Sequence, residues 1–429
     1  MRILLSALLL IVVGVGGALL WAMRFPEIEP IAAMPSYSEG VIQRGEELAA
    51  MGDCVVCHTA PGEESYAGGL HFETPFGGMY STNITSHPEK GIGSWSFEAF
   101  KRAMHEGVRR DGTYLYPAFP YDHFTRVTDE DLEAIYAFLT TIEPIDYSPP
   151  ANELSFPFNQ RVLMAGWNLL FHENKRFVPD PDRSDEWNRG AYIAEGLGHC
   201  GACHTPRNSF GALERGQHFT GASVEGWYAP ALNDGSASKV PWTLDAYVNY
   251  FLDGWDRDHG IAAGPMMPVV NQWANLSEDD AYALAEYMVS FQDQTDIEER
   301  TEAAHTFAES RQFGGEKTPA TGPAENDDPA FAAGQKKFLE VCANCHRANT
   351  ETAPLGLLAS INGPDPSNFL HVVNDGIVAP EAAVGKSMPA FGGALSDEDL
   401  INLATFVRGH FSDQPAWPNL TERVREIRN

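Results

Sequence analysis

A chain of 429 residues with 29 Lys and Arg against 59 Asp and Glu carries a formal charge of −30. That balance excludes nucleic acid as a partner, since phosphate recognition needs clustered basic side chains; it leaves a self-repelling acidic surface or a face for a basic partner. The length provides for two to four domains at roughly 100–200 residues each.

The first element is apolar. Residues 3–23 form an uncharged run of 21 residues, with Arg2 before it and Arg24 after it. At about 1.5 Å per residue, a helix of that length spans a hydrocarbon core of roughly 30 Å. A cleavable signal has an apolar region of only about 7–15 residues and then a small-x-small site, and no Ala-x-Ala follows here. Residues 1–30 are therefore predicted as a retained membrane anchor (signal-anchor). The charge bias across the run is weak, so export of the remainder is inferred from the cysteine chemistry below.

Three related units follow, predicted at 36–147, 186–291 and 328–415. Each opens on a helix-like stretch holding a glycine: RGEELAAMGDC with Gly45, RGAYIAEGLGHC with Gly190, AGQKKFLEVC with Gly334. A glycine inside a helix costs about 1 kcal/mol relative to alanine, so its recurrence predicts close packing against another helix. The middle of the first two units repeats as WSFEAFKRAMHEG, ending at Gly107, and WTLDAYVNYFLDG, ending at Gly254; the third has FLHVVNDG, ending at Gly376. Each unit closes on an amphipathic helix opened by Thr128, Ser277 or Ser396, with Asp three residues later, close to a capping box. Tyr136, Tyr287 and Phe406 are expected at matching positions on these helices, facing the glycines.

Between the units the composition shifts. Residues 148–185 are rich in Pro, Asn and aromatics and are predicted as a packed connector. Residues 292–327 are predicted as an acidic linker, flexible or partly helical, and 416–429 as a C-terminal tail. No long β pattern occurs. The expected fold class is mainly α, with three tandem domains of one type plus one N-terminal transmembrane helix.

All six cysteines fall in three copies of one pattern: Cys54-Val-Val-Cys57-His58, Cys200-Gly-Ala-Cys203-His204 and Cys342-Ala-Asn-Cys345-His346. On a helix, positions i, i+3 and i+4 share a face. Two thiols can then bond one planar macrocycle at two edges while the histidine points at its centre. That is the arrangement for covalently bound haem c with histidine as proximal iron ligand. A structural zinc site usually wants four protein ligands, whereas each unit has one cysteine pair. A redox dithiol has no need of a histidine in every copy, and an exported bare CxxC tends to oxidise. Three haem c groups are predicted, held by the six cysteines, with His58, His204 and His346 on the irons.

Each iron needs a ligand on its other face. Met266 and Met388 both lie 12 residues after the repeated glycine, in loops leading to the terminal helix. A thioether opposite histidine raises the iron potential and suits electron transfer. Met267 is the alternative in the second unit. In the first unit the same count, from Gly107, lands on Phe119, which has no lone pair to give. Met164 in the connector is the favoured substitute; His123, Met104 and Met79 are the others, and a five-coordinate iron is a further option.

The stretches GDCVVCHTAPG, GGLHFETPFGGMYSTNITSHPEKGIGSWS, LYPAFPYDHFTRVTDEDL, WNRGAYIAEGLGHCGACHTPRN and GPMMPVV resemble the membrane-bound three-haem cytochrome c subunits of bacterial periplasmic dehydrogenases, over nearly the whole chain. The resemblance implies three cytochrome c-like domains facing the periplasm from the cytoplasmic (inner) membrane. It implies an electron-transfer component working with a separate catalytic subunit and passing electrons to ubiquinone or toward a terminal oxidase or soluble cytochrome. YPAFPYDHFT looks most similar to the partners of molybdenum hydroxylases acting on aldehydes or N-heterocycles. Partners of quinoprotein alcohol dehydrogenases or flavin gluconate dehydrogenases are the alternative, and they more often have methionine at the Phe119 place. A haem peroxidase or ligand sensor working at the first haem is the rival from another class.

Overall fold

The computed structural model describes residues 14, 16, 17, 21, 24–314 and 328–428. The predicted anchor run lies almost wholly outside these residues, as does the 315–327 part of the predicted linker. Among the described residues no helix is long and apolar enough to cross a membrane. Helices of eight residues or more are labelled α1 to α13. The chain divides into two compact units. The first comprises Met1–Pro181, Ala191–Ala202 and Arg207–Leu213; the second comprises Asp182–Gly190, Cys203–Pro206 and Glu214–Asn429.

In the first unit, α1 (Glu39–Met51), α2 (Phe97–Glu106) and α3 (Asp129–Leu139) surround a core that includes Leu48, Leu132, Ile135 and Tyr136. The Ser96 and Thr128 hydroxyls accept from the third backbone N–H of α2 and α3, satisfying donors a helix start leaves open. A hairpin of β1 (His71–Thr74) and β2 (Gly77–Tyr80) pairs His71 with Tyr80, and β3 (Glu153–Leu154) adds to its edge. The predicted connector supplies β3 and α4 (Met164–Phe171). α4 is held by Trp167, which is buried and donates to the Phe210 carbonyl (3.0 Å), and by Asn168, which accepts from the Tyr121 hydroxyl (2.6 Å). The next helix is α5 (Asp185–Glu195).

The second unit holds most of the second repeat and the third. α6 (Leu244–Asp253), α7 (Met266–Trp273) and α8 (Glu278–Val289) belong to one, and α10 (Pro329–Val341), α11 (Ser367–Asp375) and α12 (Asp397–Phe411) to the other. Between them α9 (Ile297–Glu309) buries Ala304 and Ala308 against Val240 and Leu357. A hairpin of β4 (Ala222–Val224) and β5 (Trp227–Ala229) turns at Glu225-Gly226, both at positive φ. That is the backbone a two-residue hairpin loop requires. β6 (Trp255–Asp256) and β7 (Gly260–Ile261) form a short second hairpin. Residues 416–429 include α13 (Leu420–Arg428), which docks through buried Val424 and an Arg428–Asp397 pair at 2.8 Å.

The repeated glycines sit at helix crossings. A Cβ on Gly45 would lie 1.8 Å from the Ala134 carbonyl oxygen; on Gly190, 2.0 Å from that of Ala283; on Gly334, 1.9 Å from that of Asn402. The aromatic partners are Phe138, Tyr287 and Phe406, each meeting the glycine through its Cβ. The expected Tyr136 is therefore corrected to Phe138, which lies ten residues after its cap as Tyr287 and Phe406 do. Tyr136 is buried elsewhere and donates to the Trp95 carbonyl (2.7 Å). All three predicted caps form, but only Ser396–Asp399 closes the reciprocal box. The corresponding carboxylates are drawn away, Asp131 to the Tyr192 hydroxyl (2.7 Å) and Asp280 to Arg189 (2.7 and 2.9 Å).

Within the second unit its two repeats interlock. The Trp227 ring stacks on His371 (4.5 Å, 12°), and Asn368 pairs with both the N–H and the carbonyl of Tyr228. Asn271 accepts from the Glu381 N–H (2.9 Å), and Gly254 lies under Pro380.

Candidate haem sites

Each cysteine pair sits just past the helix that crosses at glycine. Cys54–Cys57 and Gly201–His204 are single helical turns, and the His346 N–H reaches the Cys342 carbonyl (3.0 Å), as His58 reaches Cys54 (3.0 Å). The i, i+4 bond puts cysteine and histidine on one face. None of the six cysteines is in a disulfide. Burial, with Cys57 beside it, pushes the Cys54 thiol up to about 12, and burial pushes Cys342 up to about 11. The thiols are thus kept neutral.

The three motif histidines are also kept neutral, because burial lowers the pKa of His58, His204 and His346. In two repeats the ring is aimed from behind. His58 Nδ1–H donates to the Thr82 carbonyl (2.6 Å) and His204 Nδ1–H to the Pro230 carbonyl (2.7 Å). That bond fixes the tautomer and leaves the Nε2 lone pair for a metal. Both carbonyls come just after a hairpin, Thr82 after β2 and Pro230 after β5. Gly68 and Gly221 N–H groups close the same loops on the His58 and His204 carbonyls (2.7 and 2.9 Å). The third repeat departs from this. His346 Nδ1 is buried without a hydrogen-bond partner among the described residues. The donor sets fit an axially ligated, thioether-held haem. Among the described residues, no three His, Cys, Asp or Glu side chains converge as a metal-ion site.

The methionine positions differ in kind. Met266 opens α7. Met267 Sδ accepts from Asn271 Nδ2 (3.1 Å), the side chain that also holds Glu381. Met388 pairs its backbone with Ile377 in an antiparallel bridge and packs on the third core. In the first two repeats the bridge forms earlier, Val108 with Tyr114 and Trp255 with Ile261, so Phe119 and Met266 both fall five residues after it. Equal counts from the glycine therefore conceal two loop designs.

Phe119 and Met164 share one apolar cluster with Tyr121, Trp167 and Ala212. Met164 also borders Val108, Tyr114 and Ala165. His123 is buried and points elsewhere. Its Nδ1 donates to the Glu195 carbonyl (3.1 Å), its ring meets that of His199, and its Nε2 has no partner among the described residues. Met104 is buried in α2, and Met79 pairs with Phe72 in the first hairpin. Sequence reasoning missed the Thr82 and Pro230 carbonyls. The signal for the second was the Glu225-Gly226 turn between short apolar runs.

A histidine aimed by a backbone carbonyl beside a cysteine pair, packed against crossed helices, defines a c-type cytochrome. The cytochrome c family model matches residues 42–143, and the model described as cytochrome c oxidase, cbb3-type, subunit III matches 329–407. The chain is 32% identical to the fructose dehydrogenase cytochrome subunit of Gluconobacter japonicus over 90% of its own length and 82% of that protein. It is 34% identical to the gluconate 2-dehydrogenase cytochrome c subunit of Pantoea cypripedii over 88% and 87%. With a nicotinate dehydrogenase subunit of Pseudomonas putida the identity is 42% over 96% of this chain, which spans about a third (34%) of that relative. The chain belongs to the family of cytochrome c subunits of dehydrogenases.

Proposed function

We infer that this chain binds three haem c groups and conducts electrons from a periplasmic dehydrogenase catalytic subunit to ubiquinone or toward a terminal oxidase. The catalytic subunit is a molybdenum hydroxylase acting on an N-heteroaromatic acid or a related heterocycle. The observation that carries this reading is the 42% identity to a nicotinate dehydrogenase subunit, against 32% and 34% for the fructose and gluconate partners. The sequence run at residues 3–23 attaches the chain to the cytoplasmic membrane, with the haem domains on the periplasmic side, where cysteine pairs of this kind receive haem.

Bound haem supplies a one-electron iron couple. The chain's own part is to hold and tune it. Cys54 and Cys57, Cys200 and Cys203, and Cys342 and Cys345 anchor the macrocycles. His58 and His204 present Nε2 because Thr82 and Pro230 occupy Nδ1. Met266 and Met388 serve as second ligands in the later repeats, and Met164 in the first, where it lies in one cluster with Phe119.

Alkaline pyridine haemochrome per chain tests the count. Three is expected, and two or fewer rejects it. Reduction of the haems by nicotinate in the presence of the co-purified catalytic subunit tests the substrate class. Reduction by gluconate or a primary alcohol instead redirects it. Phe119 at the ligand place favours one second reading, a ligand-binding first haem. Carbon monoxide uptake by the reduced protein supports that reading, and an unchanged spectrum removes it.

A further inference from the structure

Exposed large apolar side chains concentrate around α4. Leu163, Leu169 and Leu170 are 46%, 69% and 72% exposed. They follow the spacing of one helix face, and Gly166 between them looks onto open space. Phe210, 64% exposed, extends the patch through Phe171 (5.9 Å). Contiguous exposed apolar surface on a soluble domain marks an interaction site. What covers this one follows from the chain next to it.

The chain leaving the apolar run is bolted to the same domain. Arg24 donates to the Tyr114 hydroxyl (3.0 Å), Arg102 to the Pro26 carbonyl (2.8 Å), and the Ile28 N–H to the Arg110 carbonyl (2.9 Å). Phe25 packs edge-on against Tyr114 (5.8 Å) and joins the cluster of Met164 and Ala165, the first residues of α4. A free tether would leave the domain's orientation open. This one ties the end of a bilayer-length run to the foot of the apolar helix. The neighbourhood also carries arginines: Arg161 donates to the Tyr114 carbonyl (2.9 Å), and Arg109 and Arg110 follow Val108, the first near Asp111 (3.8 Å) and the second paired with Glu27 (2.9 Å). Arginine and aromatic residues beside exposed leucines form the composition of a lipid interface.

We propose that the outer face of α4 rests in the headgroup region of the membrane, so that the first haem domain lies against the bilayer in a fixed orientation. The inference rests on the membrane attachment proposed above. A lipid surface meets the exposed leucines at its acyl boundary, and exposed Arg24 stands at the foot of the patch for a headgroup phosphate.

The test uses the full haem-loaded chain in nanodiscs of phosphatidylcholine and phosphatidylglycerol. With the six native cysteines engaged by haem, Leu169→Cys offers a unique thiol for a nitroxide. Leu170→Cys is a second probe, and Val384→Cys, at a site 86% exposed, is the aqueous reference. The haem spectrum checks the fold of each variant. Labels at 169 and 170 are expected to show a several-fold higher ratio of oxygen to nickel-chelate collisions than the label at 384. A chain that elutes with nanodiscs but shows equal ratios overturns the proposal and leaves the anchor standing. A chain that does not enter nanodiscs overturns both. Labels that are water-accessible until the catalytic subunit is added make α4 a protein docking face, and the proposal fails.

Discussion

Gly334→Ala tests the reason given for the repeated glycines. The added Cβ would stand 1.9 Å from the Asn402 carbonyl oxygen, 2.6 Å from its carbon and 2.7 Å from Phe406 Cβ, where real Cβ atoms keep at least 3.0 Å. Two of the three obstacles are backbone, so α10 and α12 must part by about 1 Å. A gap of that size forfeits roughly a quarter to a half of each dispersion contact across it, along a seam that includes Phe331, Phe338 and Phe406. Overpacking costs about 1–3 kcal/mol, occasionally more. Alanine's helix propensity returns about 1 kcal/mol. With a 1.9 Å approach to backbone the cost lies at the upper end of that range, so the clash wins by about 2 kcal/mol, roughly a 30-fold rise in the opening equilibrium at 1.36 kcal/mol per tenfold. Hydrogen exchange by mass spectrometry on the full haem-loaded chain reads this locally, as faster exchange in α10 and α12, with α6 as internal reference. Exchange that is unchanged or slower would refute the reasoning, since propensity alone acts in that direction. Gly166→Ala is the opposite control: its Cβ meets nothing within 4 Å, and α4 should gain about 1 kcal/mol.

Burial and the nearby Arg176 push the His105 imidazole down to about 4 from 6.5, so the unfolded chain binds the extra proton between those values. Its stability contribution is complete above pH 6.5 and is lost as pH falls toward 4, up to about 3 kcal/mol. Urea midpoints against pH should show that limb, and His105→Gln should remove this residue's share of it, leaving that of His199, which burial also pushes down to about 4. Met267 Sδ is engaged by Asn271, so Met266→Leu should abolish the second domain's share of the near-infrared thioether-to-iron band, while Met267→Leu should leave it; the reverse result would exchange the two. Arg408 is buried and donates to the carbonyls of Pro415 (2.8 Å), Ile361 and Gly363 (3.0 Å), with Trp417 beneath it. Arg408→Leu takes the donor from the Pro415 and Ile361 carbonyls, while Gly363 keeps the Trp417 indole N–H (2.9 Å), and should cost about 2–4 kcal/mol, read as accelerated exchange in α12 and α13; wild-type exchange there would show water satisfying the carbonyls.

The helical skeleton was legible because it is written in strong local terms. Capping hydroxyls at Thr128, Ser277 and Ser396 depend on residues within one turn, and a glycine where two helices touch leaves its mark three times. Reading the aromatic partner in the first repeat as Tyr136 rather than Phe138 came from matching residue type instead of counting from the cap. The hairpins behind His58 and His204 were harder to read, because a carbonyl leaves no trace in residue identity. Thr82 and Pro230 act through backbone atoms any residue would have. Spacing also proved an incomplete guide at the distal loops. Met388 lies in its bridge whereas Met266 lies five residues beyond one, a distinction set by pairing partners far along the chain.

The interlock inside the second unit bears on how such chains can be recombined. Trp227 on His371, Asn368 on Tyr228, and Asn271 on Glu381 are side chains of one repeat completed by the next. A gene fragment ending after α8 would bare the Trp227 indole and leave Asn271 without the Glu381 N–H, so separating these two repeats exposes what the whole chain covers. Each of the two repeats is thus part of the other's scaffold.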